Sequence, residues 1–238
     1  MSSLSLDSVL STLSQKVATF LPRQVTDPSD AQYGGCVNPE WDLTVDMHGS
    51  TPSLLVSCAL LALGVKKSDS DAVPFDSAML LERANMAADY MLNAQLPTGR
   101  LDNRRGNYDA GTVAAFVSQQ LCTVIELGRP LTASNGRWRE LLGKLERFVR
   151  KAVPGILTGG FHTPNHRWVV TSALVQAGYL FPDLKESIRP GLEAYLQEEP
   201  DIDAEGAWIE RSIGVYDGVC ARCMLFLAEQ WDYAKGHE

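Results

Sequence analysis

Phe161-His162-Thr163-Pro164-Asn165-His166-Arg167-Trp168 opens the stretch on which the reading of this chain turns, and it runs directly into the apolar segment Val169 to Leu180. Thr163 followed by Pro164 reads as an N-cap and a proline in the first helical turn. The polar cluster therefore belongs at the mouth of a helix, where unpaired backbone N–H groups and the positive end of the helix dipole favour an anion. Capping needs one short oxygen-bearing side chain, which Thr163 supplies; His162, Asn165, His166 and Arg167 exceed that need. Further along, Glu210-Arg211-Ser212-Ile213-Gly214-Val215-Tyr216 repeats the arrangement just ahead of another apolar segment.

Outward from this stretch, apolar residues recur at helical spacing and almost nowhere alternate as in strands. The periodicity predicts helices over Ser3 to Phe20, Thr51 to Leu63, Asp76 to Ala94, Asp109 to Leu127, Asn135 to Val153, Pro164 to Leu180, Leu184 to Gln197 and Val215 to Ala234. Gly64, Gly128 and Gly178 fall where left-handed caps are expected, and prolines 74, 97, 130, 154, 182 and 200 read as breaks between helices. The fold class is all-α, read as one helical domain over 1–238. Leu21 to Ser50 and Leu96 to Tyr108 read as irregular, and a long irregular connection in a helical protein is more often functional than idle.

Four of these helices start on a polar cluster: Asp46 to Pro52 around His48, Tyr108 to Thr112 around Asp109, His162 to His166, and Tyr216-Asp217-Gly218. The intervals from His48 to Asp109, Asn165 and Tyr216 are 61, 56 and 51 residues in turn, the length of one helical hairpin each. In a toroid of stacked hairpins, helices one repeat apart run in the same direction, so all four polar starts would open on one mouth. For His48 and Asp109, plain helix capping explains the pattern equally well.

Hydrophobic residues make up 45% and charged residues 21%, the balance of an ordinary globular protein. The net charge of −8 argues against nucleic acid or a membrane surface as partner. No apolar run suits a membrane span, and the start of the chain lacks the basic and apolar pattern of a secretory signal. Five scattered cysteines, Cys36, Cys58, Cys122, Cys220 and Cys223, do not read as a disulfide framework, so the expected location is the cytoplasm. The charge is uneven: between Glu146 and Asp183 there is no acidic residue, whereas Arg147, Arg150, Lys151 and Arg167 fall there with His162 and His166. That run suggests an anionic small ligand, or a solvated basic face.

The pair Asn165-His166 opening an apolar helix, followed by Tyr216 within Glu-Arg-Ser-x-Gly-x-Tyr, resembles the heparinase II/III family and the related alginate-lyase-type polysaccharide lyases. The resemblance is densest over Thr163 to Trp168 and Asp201 to Tyr216. It implies a helical α/α toroid, here incomplete, that carries the Asn-His pair and the tyrosine. It also implies a C-terminal β-sandwich with a further catalytic histidine, which this sequence does not contain; His237 in the polar tail is a poor substitute. The expected chemistry is β-elimination at a uronic acid of an acidic oligo- or polysaccharide, with no cofactor and no metal. Charge builds next to a group that is already negative, so the carboxylate must be neutralised by placed donors. Asn165 takes that role with the helix N-terminus and Arg211. Tyr216 protonates the leaving oxygen and, with its hydroxyl depressed by Arg211 or His166, also serves as base; otherwise His166 is the base or a second carboxylate donor.

Substrate contacts are expected from His48, His162, Asp109, Trp168 and Glu210. Each has a plainer reading: His162 as a cap, Trp168, Trp41 and Trp208 as core, Glu210 as a cap or partner of Arg211, Tyr216 as a half-buried aromatic. Cys220-x-x-Cys223 without a second pair reads as two buried apolar residues. Glu205, Glu210 and Asp109 also frame an alternative, a glycoside hydrolase using paired carboxylates on a similar toroid. A non-catalytic carbohydrate-binding scaffold, a homo-oligomer, or dependence on a C-terminal domain are the expectations that follow from an incomplete toroid.

Overall fold

The computed structural model describes residues 5–38, 49–64, 75–103, 106–210 and 214–231. Among the described residues the regular structure is eight α-helices and one two-stranded sheet, so the chain is all-α. The helices are α1 Leu6–Phe20, α2 Ser50–Ala62, α3 Ser77–Ala94, α4 Gly111–Gly128, α5 Gly136–Thr158, α6 Pro164–Leu180, α7 Lys185–Leu196 and α8 Tyr216–Trp231. Strands β1 Leu101–Asn103 and β2 Asn107–Ala110 pair with each other; they begin in the stretch Leu96 to Tyr108 expected to be irregular, and β2 takes in Asp109 and Ala110, so α4 starts at Gly111 rather than at Asp109. His48 and Trp41 lie outside the described residues, as does Arg211.

Local chemistry sets most of the boundaries. Ser5 caps α1 by accepting from the Ser8 N–H at 3.2 Å, and Asp76 caps α3 by accepting from the Met79 N–H at 2.9 Å. Both are short oxygen-bearing side chains at the position where the first helical donors lack backbone partners. Gly64, with φ of +72°, follows α2 in the left-handed conformation expected there. Gly128 does not: its φ is −84°. A Cβ at Gly128 would lie 2.6 Å from the Trp138 ring, so glycine is needed there for space. Gly178 stands inside α6 facing Ile188.

Pro154 does not break a helix either, since α5 runs through it. Val149, Ala152, Val153 and Ile156 form one buried stripe on both sides of the proline. Burying each of the larger ones contributes about 1.5–3 kcal/mol, which together exceeds the roughly 3 kcal/mol cost of an internal proline.

The chain forms two compact units. One is built from Met1–Gln95, Asn103–Arg105 and Thr123–Phe148, the other from Leu96–Asp102, Gly106–Cys122 and Val149–Glu238. α4 and α5 each contribute residues to both. In the first unit α2 packs on α1 and α3. In the second, α6 is the axis: every residue except Pro164, His166 and Tyr179 is buried, and α7 and α8 pack against it. α6 buries residues on every face, its polar Thr171, Ser172 and Gln176 included, so it has to be surrounded. No described helix is long and apolar enough to cross a membrane.

Candidate active site

The start of α6 explains itself one donor at a time. Pro164 has no N–H. The N–H groups of His166 and Arg167 both reach the Thr163 carbonyl, at 3.0 and 3.3 Å. Asn165 is left as the first-turn donor without a local acceptor, and Thr163 does not cap it with its side chain. Glu210 supplies the acceptor: its Oε2 takes the Asn165 N–H at 2.8 Å and its Oε1 takes the Asn165 side-chain amide at 2.5 Å. The same amide also donates to Thr163 Oγ1 at 3.0 Å. Glu210, expected among the substrate contacts or as a cap, thus occupies the anion position at this helix N-terminus.

Two residues on, Arg167 is 2% exposed. Its guanidinium donates to Glu198 Oε2 at 3.1 Å and to the carbonyls of Glu198 and Glu199 at 3.0 Å each, and stands 3.6 Å from the Asp201 carboxylate. It also lies over the Trp168 ring, 4.3 Å from the centroid. The segment it holds continues into a small hairpin: Ile202 bridges Trp208, the Asp203 N–H reaches the Ala207 carbonyl at 2.8 Å and the Ile209 N–H the Asp201 carbonyl at 2.8 Å. One turn of α6 therefore holds this strap at both ends, through Arg167 at 198–201 and Asn165 at Glu210.

Trp168, expected to touch sugar, is a core residue: it is 0% exposed, with Arg167 over its face and Trp208 edge-on at 6.2 Å. His166 is half-buried, its ring edge-on to Phe116 at 5.8 Å and to the exposed His162 at 6.3 Å. The structure thus brings Asn165, His166, His162 and Glu210 to one helix mouth. Tyr216 is the first residue of α8, which packs on α6, and is 38% exposed.

Asp109 is the penultimate residue of β2, just before α4, and has φ of +47°, a left-handed conformation that aspartate tolerates better than most residues. Its carboxylate accepts from Thr98 Oγ1 at 2.6 Å and from Arg100 at 3.1 Å, and its N–H donates to Asp102 at 2.8 Å. Arg100 in turn donates to the Gly155 carbonyl at 3.0 Å and to Thr158 at 2.8 Å. These bonds fix Asp109 beside the end of α5, where Gly111 and Gly159 approach so closely that a Cβ on Gly159 would lie 2.7 Å from the Gly111 Cα.

Two cations of the basic run are paired with carboxylates from elsewhere in the chain. Arg150 makes two bonds to Asp183, at 2.6 and 3.0 Å, and holds that carboxyl below its ordinary range. Arg167 is committed to Glu198 and Asp201. Burial, reinforced by Cys223 and the carboxylates of Glu210, Asp201 and Asp217, pushes the Cys220 thiol up to about 12. Three carboxylates thus lie near the start of α8, and the donors at the mouth of α6 are those of Asn165, which Glu210 engages. Of the paired-carboxylate set, Glu205 sits at the exposed turn of the hairpin and Glu210 is bound to Asn165.

The sequence reading missed two polar centres. Arg167 was visible as a member of the polar cluster and of the basic run, but not as an anchor for residues 198–201. Gln119, buried in α4, donates to Ser172 of α6 and to Cys223 Sγ, and accepts from Arg222 at 3.1 Å. A glutamine inside an apolar helical run was the available signal. Comparison of the chain with protein-family models, curated proteins and solved structures finds no match. The site stands on its own residues.

Proposed function

We propose that this chain is the helical, toroid-type domain of a polysaccharide lyase that cleaves an acidic glycan by β-elimination at a uronic acid. The observation that carries the reading is the Asn165 fork. A backbone N–H and a side-chain amide of one residue, at the positive end of a buried helix, both donate to a single carboxylate. Elimination needs that neutralisation, because removing the C5 proton places a second negative charge beside the substrate carboxylate.

In this reading His166, beside Asn165 at the same mouth, takes the C5 proton or gives a further donor. Tyr216 protonates the departing glycosidic oxygen. His162 at the rim and Asp109 near the end of α5 contact sugar hydroxyls. The substrate class is an anionic oligo- or polysaccharide, with the cytoplasm as the proposed compartment. The engagement of Glu210 with Asn165 weighs against the paired-carboxylate hydrolase.

The test is the absorbance of an unsaturated uronate when the protein meets alginate, polygalacturonate, hyaluronan or heparan sulfate. Product is expected with one of them, and Tyr216→Phe is expected to lose about 10²- to 10⁴-fold in rate, the range for removing one acid-base group, while still binding that glycan. Hydrolysis without an unsaturated product would overturn the reading, as would binding without turnover by parent and variant alike.

A further inference from the structure

We infer that Glu210 is a built-in competitor: it fills the seat of the substrate carboxylate, so that a uronate enters only as Glu210 leaves. The inference rests on the lyase reading above. The seat is two N–H donors on one residue, meeting the two oxygens of one planar carboxylate at 2.8 and 2.5 Å. The carboxylate of a uronic acid has the same plane, oxygen spacing and charge as that of glutamate. Two carboxylates cannot share the seat, since like charges in contact destabilise each other. Occupancy by one excludes the other.

A second observation shows that Glu210 is an imperfect occupant. Asn165 is 1% exposed, and its Oδ1 is buried with no hydrogen-bond partner among the described residues. A buried acceptor without a donor is costly, and an ionised glutamate has no donor to give. A uronate carries hydroxyl donors on the same ring as its carboxylate. The pair of unlike requirements on one amide, a carboxylate for the nitrogen and a donor for the oxygen, fits a hydroxylated acid better than it fits Glu210.

The strap makes the exchange mechanically simple. Arg167 and the hairpin bonds hold the strap independently of Glu210, so it stays anchored when the Glu210 carboxylate leaves the seat. In both states the Asn165 donors keep an acceptor. The apparent affinity for a uronate is then the intrinsic one multiplied by the fraction of time Glu210 is out.

Thermal melting and titration with D-glucuronate and D-galacturonate test this on the parent, Glu210→Ala, Glu210→Gln and the double variant Asn165→Ala/Glu210→Ala. Glu210→Ala is expected to melt lower than the parent, to recover with at least one uronate but not with glucose, and to bind it about 10-fold or more tighter than the parent, as release from a mostly occupied state requires. The neutral Glu210→Gln, which keeps the side-chain length, is expected to gain in the same direction, and the double variant to bind neither acid. Equal affinity in parent and Glu210→Ala, or no binding by either Glu210 variant, overturns the inference. The two readings fail separately. Tight uronate binding by Glu210→Ala with no unsaturated product from any glycan keeps the exchange and removes the lyase; product from the parent without any gain in the Glu210 variants does the reverse.

Discussion

At the scale of single residues, the informative ones are charged or polar and buried. Arg167 is the clearest case: a guanidinium taken out of water needs partners, and its two terminal nitrogens have them while its buried Nε has none among the described residues. Arg167→Met keeps much of the volume over Trp168 but leaves the carbonyls of Glu198 and Glu199 without their donor. Its carboxylate partner Glu198 is exposed and returns to water, so the loss comes mainly from the carbonyls and Asp201. Urea denaturation is expected to show a loss of about 3 kcal/mol, and Arg167→Lys, lacking the fork, should recover only part of it. The sequence made Asn165, His166 and Tyr216 legible as candidates because they exceed what a cap requires. It did not make Arg167 legible as an anchor, because the carboxylate and carbonyls that define its role come from residues 198–201, and a sequence shows no contact across that distance.

Among elements, α5 and α6 teach opposite lessons. The bounds of α6, Pro164–Leu180, were legible to the residue, because a proline opens it, another follows Phe181, and the predominantly apolar run Val169 to Leu180 continues from its polar first turn. For α5 the sequence places a breaker, Pro154, inside a buried stripe that continues past it, and the stripe prevails. Its glycines separate into two kinds. Gly143 lies mid-helix with nothing within 4 Å of a built Cβ, so Gly143→Ala is expected to stabilise by about 0.5–1 kcal/mol. Gly159 meets the Gly111 backbone, where the added carbon would lie 2.7 Å from a Cα. Gly159→Ala must push α4 and α5 apart, at about 1–3 kcal/mol. In melting experiments the two variants should move in opposite directions, by roughly 2–4 °C per kcal/mol for a chain of this size.

For the whole molecule, helix class was legible and the division into two units was not. Periodicity tells which face of a helix is covered, not which neighbour covers it, and α4 and α5 serve both units without any change in pattern. The cysteines report on both. All five are buried thiols, and burial raises Cys58 and Cys220 to about 12. A thiol whose folded value is raised contributes its stability below the unfolded value, near 8.5, and loses it as pH climbs toward the folded one. Stability should therefore fall between about pH 8.5 and 12, and alkylation by iodoacetamide at neutral pH should be slow until the protein unfolds. A second and earlier transition seen by alkylation of Cys36 and Cys58 alone would show the units opening independently.

The Glu210 cap also orders events in time. Most helices are capped by a neighbour and complete their first turn locally, but the acceptor that closes α6 lies 45 residues downstream. That turn has to wait for α7 and the strap to be in place, so it belongs to the last stage of folding. Removing the cap should then leave the refolding rate almost untouched and speed unfolding, the signature of an interaction made after the transition state. Stopped-flow refolding and unfolding of Glu210→Ala would reveal it, and a matching slowdown in refolding would place the turn early instead. The most reactive-looking end of the core helix is thus also the part of it expected to form last and open first.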